Sequence, residues 1–213
     1  AGQGIDLLVN LSASPFHAGK RDFRLRMLAA LARKHRLAVA HVNQVGGNDG
    51  LVFDGISAAF TSDGALAARG ADFREGLVVW DTEAPAGEAE RHPIAPDDTA
   101  SVLKALETGT RDYVRKCGFR QVVIGLSGGI GSAVTAAVAV RALGAANVRG
   151  VFMPSVYTSA DNFDDTARLA ANLGIPCEVI PIDPMFQTFL PPLAPQFDPA
   201  APGIMEQNIQ ARI

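Results

Sequence analysis

Two serines and three glycines lie together in one short stretch of the chain, with the spacing of an anion-binding loop. Residues 127–132 are Ser-Gly-Gly-Ile-Gly-Ser, with a hydroxyl at each end and little side-chain bulk between them. Successive backbone N–H groups and two hydroxyls can surround a phosphate, and the N-terminus of a following helix adds a favourable dipole. The stretch therefore predicts a phosphate site, although such glycines can also serve only to pack a strand closely against a helix.

The residues on either side of this loop predict the elements that would position it. Residues 121–126 are mostly apolar and β-branched, which predicts a buried strand. Residues 132–143 are rich in Ala, Val and Leu and end at Gly144, which predicts a helix with a glycine just beyond its last turn.

The pattern of the loop excludes two common nucleotide sites. A Walker loop needs a lysine after its glycines, and none follows here. A dinucleotide fingerprint would place a third glycine where Val134 stands, and the next strand ends in Met153-Pro154-Ser155, without an acid for ribose hydroxyls. The remaining interpretation is a Ser-Gly-Gly-x-x-Ser loop that wraps a pyrophosphate.

Composition describes an ordinary globular protein and gives no global reason to expect nucleic acid or membrane partners. The 213 residues are 48% hydrophobic and carry a net charge of −3. Cys117 and Cys177 lack CxxC spacing, so we expect two buried thiols in a reducing, cytoplasmic compartment. Both ends of the chain give the impression of an incomplete protein.

Element patterns predict two α/β domains joined by a linker. Residues 1–84 predict a mixed sheet with one helix and a glycine loop at 43–50; the expected strands are 5–11, 37–42, 51–60, 65–68 and 77–80, and the expected helix is 20–35. Prolines and glycines mark residues 85–98 as the linker. Residues 99–213 predict a doubly wound parallel sheet; the expected strands are 121–126, 148–153 and 178–182, with helices at 99–116, 132–143 and 159–173 and a terminal helix from about Ile204.

Several segments resemble one family. The stretch Gly125-Leu-Ser-Gly-Gly-Ile-Gly-Ser132 resembles the PP-loop of N-type ATP pyrophosphatases. Glutamine-dependent NAD⁺ synthetase is the family that the wider sequence resembles, at residues 111–119, 151–159, 164–167 and 206–213, and its nitrilase-like glutaminase domain is similar to residues 10–20 and 42–55. The resemblance implies the later part of a nitrilase-like α-β-β-α sandwich, followed by a truncated PP-loop domain of the adenine nucleotide alpha hydrolase-like type.

The resemblance also implies an activity and its binding residues. Such enzymes hydrolyse glutamine and use ATP to adenylate deamido-NAD⁺, which ammonia then converts to NAD⁺; homo-oligomers are expected. The implied ATP-binding residues are Gly125, Leu126, Ser127, Gly128, Gly129, Ile130, Gly131 and Ser132. The implied glutamine-binding residues are Ser14 and Lys20, for which a turn serine and a solvated lysine at a helix start are the structural alternatives.

Departures from the family pattern limit what the chain can do. Gly131 replaces the aspartate that helps the family to hold Mg²⁺, so we expect no metal ligand in the loop, a weakened Mg²⁺ site and retained ATP binding with slow adenylation. The glutaminase nucleophile, base and lysine would precede residue 1, so no catalytic residue is expected in this chain. A non-catalytic nucleotide-binding remnant or regulatory module is therefore the alternative to a synthetase.

Overall fold

The backbone packs as two units, which are described separately. A computed structural model describes residues 4–83 and 89–193. Ala1–Gly118 form unit 1 and Phe119–Ile213 form unit 2. Both units are α/β, as expected from the sequence.

Unit 1 is built on a four-stranded mixed sheet with helix α1 beside it. The elements in chain order are β1 (Leu7–Ser12), α1 (Lys20–His35), β2 (Ala38–Asn43), β3 (Val45–Asn48), β4 (Leu51–Asp54), β5 (Ala58–Phe60), β6 (Leu66–Arg69) and α2 (Asp98–Lys116). The sheet order is β1-β2-β5-β6; β1 and β2 are parallel, and β2, β5 and β6 are antiparallel. Helix α1 confirms the predicted helix at 20–35, whereas the predicted strand at 51–60 is divided into β4 and β5, which lie in different sheets.

The core of unit 1 lies between α1 and the sheet. Leu28 and Ala32 of α1 pack against Val39 of β2 and Phe60 of β5, and all four are buried. Burying a Leu, Val or Phe side chain contributes roughly 1.5–3 kcal/mol. The helix ends at Arg36, whose left-handed backbone lets its N–H reach the carbonyls of the last turn.

Strand β1 lies at one edge of this sheet and keeps much apolar surface in contact with solvent. Leu7, Val9 and Leu11 are 36%, 55% and 78% exposed. Within the described part of the chain, its backbone pairs with β2 and with no other strand.

The expected glycine loop at 43–50 was a wrong prediction, because much of it is strand β3. This strand pairs with β4 as a two-stranded antiparallel hairpin, and α2 packs on both strands. Helix α2 begins after Asp97, whose carboxylate accepts a hydrogen bond from the N–H of Ala100 at 2.8 Å. We also expected α2 to belong to the domain after the linker, but it packs within unit 1. The linker at 85–98 stays a prediction.

Unit 2 is a three-stranded parallel sheet with helical crossovers. Its elements are β7 (Val122–Leu126), α3 (Ile130–Leu143), β8 (Val148–Phe152), α4 (Ala160–Leu173), β9 (Cys177–Val179) and α5 (Asp183–Leu193). The strands lie in the order β7-β8-β9, all parallel. A core of Ala139, Val148, Ala170 and Ile175 joins α3 and α4 to the sheet. The order β-α-β-α-β confirms the prediction.

Three smaller expectations have different outcomes. No strand forms at 77–80, where Leu77 and Val79 are 83% and 76% exposed while Val78 and Trp80 pack on Ala59, Ala67 and Ala68. Cys117 is exposed, contrary to the expected buried thiol, and Cys177 is half-buried. The predicted helix from about Ile204 lies outside the described residues. No described helix combines the length and apolarity needed to cross a bilayer.

Candidate functional site

The predicted phosphate loop connects β7 to α3 in unit 2. Buried Leu126 ends the strand, and the loop residues Ser127 and Gly129 are exposed. Gly129 precedes the first helical residue with an extended backbone and no side-chain cap, and no acid stands in the first turn. Helical N–H groups therefore face outward without a competing carboxylate, which is the arrangement that binds anions.

The two loop serines hold each other in place. Their Oγ atoms are 3.1 Å apart, and the Ser132 hydroxyl also accepts from the Ser127 N–H at 3.2 Å. The Ser132 hydroxyl lies 3.0 Å from the carbonyl oxygen of Gly129, to which it donates. Both hydroxyls can turn toward a phosphate oxygen, because each has a rotatable proton and more than one acceptor direction.

Gly128 has a packing requirement of its own. Its φ is +75°, a conformation that favours glycine, and a Cβ there would lie 2.8 Å from the Cα of Asn162. The first turn of α4 therefore approaches the loop at this position. Gly128 thus has a packing role against α4, which differs from the expected packing of the strand on its own helix and is compatible with an anion site beside it.

Gly131 lies in open space, in contrast to Gly128. No heavy atom comes within 4 Å of an ideal Cβ at this position, and its φ is not in the left-handed region. An aspartate would fit without strain, so the local structure gives no steric reason for glycine here.

The loop itself offers Mg²⁺ no carboxylate ligand. Magnesium usually takes one or two carboxylates in addition to phosphate oxygens. Gly131 offers none, and in the described part of the chain no three His, Cys, Asp or Glu side chains come together as a metal site. The acidic side chains at the start of α4 are exposed to solvent: Asp161, Asp164 and Asp165.

The second candidate site, in unit 1, is the loop between β1 and α1. The N–H of Ser14 donates to Oδ1 of Asn43 at 2.8 Å, and the ammonium group of Lys20 donates to the carbonyl of Pro15 at 2.9 Å. Ser14 and Lys20 are half-buried. Lys20 is the first residue of α1, as in the alternative of a lysine at a helix start, but it is half-buried and its ammonium group is held against the loop.

A buried polar network supports this loop from below. Nη2 of Arg24 contacts both carboxylate oxygens of Asp54 at 3.0 and 2.9 Å, and Nδ2 of Asn43 donates to Asp54 at 3.1 Å. Only 4% of the Arg24 side chain and 3% of the Asp54 side chain are exposed. Such a pair holds its geometry firmly, because separating it would leave an unpaired buried charge.

A cavity of about 440 Å³ adjoins the loop, and Ser14 and Lys20 both lie in its wall. Arg24 and His41 also line it, and the buried Nε and Nη1 of Arg24 and Nε2 of His41 have no hydrogen-bond partner. Burial lowers the pKa of His41, and the positive charge of Arg24 lowers it further, while the Asp54 carboxylate acts in the opposite direction. The wall thus offers guanidinium donors and a neutral imidazole.

Sequence reasoning found the residues of both loops but missed the network beneath Ser14. Arg24 falls in the apolar stripe of α1 next to Leu28, and a charge in such a stripe is a signal that could have suggested a buried partner. The identity of that partner was not readable, because Asp54 lies 30 residues further along the chain.

Comparison with known proteins shows to which family the chain belongs. Residues 102–213, more than half of its length, match the family model described as NAD synthase. The chain belongs to the NAD synthase family. A glutamine-dependent NAD(+) synthetase from Synechocystis sp. is 42% identical over 99% of this chain, and one from Thermotoga maritima is 38% identical over all of it.

A solved structure of a NAD synthase relative shares the fold. The glutamine-dependent NAD⁺ synthetase of Acinetobacter baumannii, in complex with ADP, superposes over 97% of this chain with a TM-score of 0.88 and 36% identity. This chain spans 38% and 43% of the two curated relatives and 40% of the Acinetobacter chain. The similarity therefore concerns less than half of each relative.

Proposed function

We propose that this chain supplies the ATP-binding loop and part of the glutamine pocket of a glutamine-dependent NAD⁺ synthetase. The single observation that carries the proposal is the strand–loop–helix at 122–143, an uncapped helix N-terminus with two serines, inside the stretch that matches the NAD synthase model. The reaction is the ATP-dependent amidation of deamido-NAD⁺ with ammonia released from glutamine.

In the proposed chemistry, ATP activates a carboxylate that is otherwise a poor acyl donor. The nicotinate carboxylate oxygen attacks the α-phosphorus of ATP, and pyrophosphate leaves. Ammonia then adds to the acyl carbon of the adenylate, AMP leaves with the electrons of the C–O bond, and loss of a proton from nitrogen to solvent gives the amide. The N–H groups and hydroxyls of the loop would hold the pyrophosphate portion of ATP and stabilise the charge that develops on it.

The implied ATP-binding residues divide into two groups by their surroundings. Ser127, Gly128, Gly129 and Ser132 present the polar groups of the loop, as the hydrogen bonds among them support. Gly125, Leu126, Ile130 and Gly131 form the strand end and the first helical residues beside them.

For glutamine, we propose Ser14 and Lys20 as ligands at the cavity wall. Lys20 is half-buried, and its ammonium group has three N–H donors, of which one bonds to the Pro15 carbonyl. The group can therefore also bond to an anionic oxygen of the ligand. The glutaminase nucleophile and base would belong to the part of the longer relatives that this chain does not span. Assembly as a homo-oligomer and a cytoplasmic location stay predictions.

The test measures pyrophosphate release from ATP in the presence of deamido-NAD⁺, in a chain extended to the length of the relatives. We expect slow release that depends on deamido-NAD⁺ and is lost when Ser127 and Ser132 are both changed to Ala. Release that is unaffected by this double substitution would contradict the assignment of the loop.

The second candidate function is a non-catalytic nucleotide-binding or regulatory module. Gly131 favours it, because the loop has lost a charged side chain although the site has room for one. Growth of a strain without NAD⁺ synthetase separates the two functions: rescue by the extended chain supports the synthetase. ATP binding without rescue supports the module.

A further inference from the structure

Helix α2 contacts the β3–β4 hairpin at Gly47, through both the N–H and the carbonyl group of that residue. The Gly47 N–H donates to Oδ2 of Asp112 at 2.8 Å, and the Gly47 carbonyl accepts from Nζ of Lys116 at 2.6 Å. The two α2 residues are one turn apart on the same face. Together they satisfy both backbone groups of Gly47 from outside the hairpin.

Two glycines make this close approach possible. A Cβ on Gly47 would lie 3.1 Å from the Cα of Gly109, and a Cβ on Gly109 would lie 3.1 Å from Cγ2 of Val52. Such contacts are tighter than side chains normally accept, so larger residues would push α2 away from the hairpin. Gly47 is buried.

The same hairpin holds the candidate glutamine loop from its other side. Gly47 pairs with Val52 in the antiparallel register, and the carbonyl of Val52 accepts a hydrogen bond from the Phe16 N–H at 2.6 Å. Pro15 forms a β-bridge with Phe53, the next residue of β4. Ser14 stands directly before these two loop residues, and Lys20 bonds to the carbonyl of Pro15.

A continuous chain of contacts therefore runs from α2 through the hairpin to the loop. Its α2 end, which includes Asp112 and Lys116, lies inside the region that matches the NAD synthase model, which begins at residue 102. Its other end is the predicted glutamine loop. By packing, α2 belongs to unit 1. Most of α2 therefore belongs by sequence to the region that matches the NAD synthase model. By its contacts it belongs to the unit that contains the predicted glutamine loop.

We propose that Asp112 and Lys116 are positioning residues for the Ser14–Lys20 loop, acting through Gly47 and the β3–β4 hairpin. Neither residue touches glutamine; they fix the hairpin whose Val52 carbonyl holds Phe16. The functional part of this inference rests on the proposed glutamine role of Ser14 and Lys20, whereas the structural part does not.

Amide hydrogen exchange on the 213-residue chain tests the structural part. The substitution Lys116→Met, which keeps an unbranched apolar stem, and Asp112→Leu are compared with the original chain. We expect the Phe16 amide to exchange about fivefold faster in each variant, as loss of one hydrogen bond allows. The amide of Leu28 in α1 reports global unfolding, and the expected fivefold increase at Phe16 is counted beyond any increase seen at Leu28. Unchanged exchange at Phe16 in both variants would overturn the proposal.

Two matched variants distinguish positioning from a general effect of substitution. Arg115→Met removes a neighbouring charge on an exposed side chain and should leave the Phe16 amide protected. Asp112→Asn keeps an acceptor oxygen for the Gly47 N–H and should restore most of the protection lost in Asp112→Leu. Equal effects of Arg115→Met and Lys116→Met would also overturn the proposal.

Calorimetric titration with glutamine tests the functional part. In the chain extended to the length of the relatives, Lys116→Met should weaken glutamine affinity about fivefold while ATP affinity stays constant. Equal glutamine affinity in the extended chain and its variant would overturn the functional part. If the extended chain does not bind glutamine, the proposed role of Ser14 and Lys20 fails, and the exchange experiment still decides whether α2 positions the loop.

Discussion

Substitution of Gly131 by aspartate gives the sharpest test of how the nucleotide loop works. The position is the second residue of α3, has ordinary helical φ and has no neighbour within 4 Å of an ideal Cβ. Replacing a helical glycine recovers a few tenths of a kcal/mol, and an acid in the first turn adds about 0.3–1 kcal/mol. We therefore expect Gly131→Asp to stabilise unit 2 by about 0.5–1 kcal/mol, measured by urea unfolding.

The effect of Gly131→Asp on ATP binding should change sign with magnesium. Without metal, a carboxylate about 4 Å from a phosphate charge in water costs about 1 kcal/mol, which weakens ATP binding about fivefold. With Mg²⁺, the same carboxylate becomes an additional ligand and should strengthen binding relative to the original chain. Calorimetry with ATP in EDTA and in excess Mg²⁺ measures both conditions.

The control for this experiment is Gly131→Asn, which has the same shape but no charge. It should weaken metal-free binding less than aspartate and should gain little from Mg²⁺. Identical magnesium dependence in the Asp and Asn variants would refute the interpretation of residue 131 as the lost metal-ligand position.

Three further substitutions follow from the packing. Gly128→Ala should destabilise unit 2 by about 2–5 kcal/mol and abolish ATP binding, because the new Cβ meets Asn162 at 2.8 Å in a left-handed backbone; thermal unfolding and ATP titration measure this. Arg24→Met should cost about 3–5 kcal/mol in urea unfolding, since it leaves the Asp54 carboxylate buried without its cation. Burial lowers the pKa of His41, so as pH falls below about 6.5 the unfolded chain binds a proton before the folded chain does. The free energy of unfolding should therefore decrease by up to about 1.4 kcal/mol per pH unit in that range. The substitution His41→Gln should remove this pH dependence.

Each of these three predictions has a matched control or a contradicting outcome. Gly118→Ala shares the positive φ but has no neighbour within 4 Å, so it isolates the backbone cost from the contact with α4. Arg26→Met removes an exposed arginine of the same helix and should cost less than about 0.5 kcal/mol. A pH dependence below 6.5 that is identical in the original chain and in His41→Gln would contradict the role of His41.

Local patterns predicted the strand–loop–helix of unit 2 because all of its signals lie within about twenty residues. The apolar run before Ser127 and the Gly144 end of α3 need no distant partner to be recognised. Strand β3 was missed because glycines at 46 and 47 indicate a loop by propensity, whereas here they accommodate helix α2. Propensity was overridden by tertiary contact.

The opposite error occurred at 77–80, where propensity indicated a strand that does not form. Apolar and β-branched residues favour strands only when a neighbouring strand takes up their backbone groups, and Leu77 and Val79 remain exposed. The Arg24–Asp54 pair was unreadable for a similar reason, since its two charges meet only after the sheet has formed. Long-range pairing is the information that a single sequence does not display.

The apolar edge strand β1 also determines how this chain will behave in a test tube. Its Leu7, Val9 and Leu11 side chains face solvent, and along its free edge no strand of residues 4–83 and 89–193 pairs with its backbone. Such an edge is a template for sheet-to-sheet association and aggregation. We expect the yield of the 213-residue chain to depend strongly on concentration, and a lysine at position 9 to reduce turbidity on concentrating it.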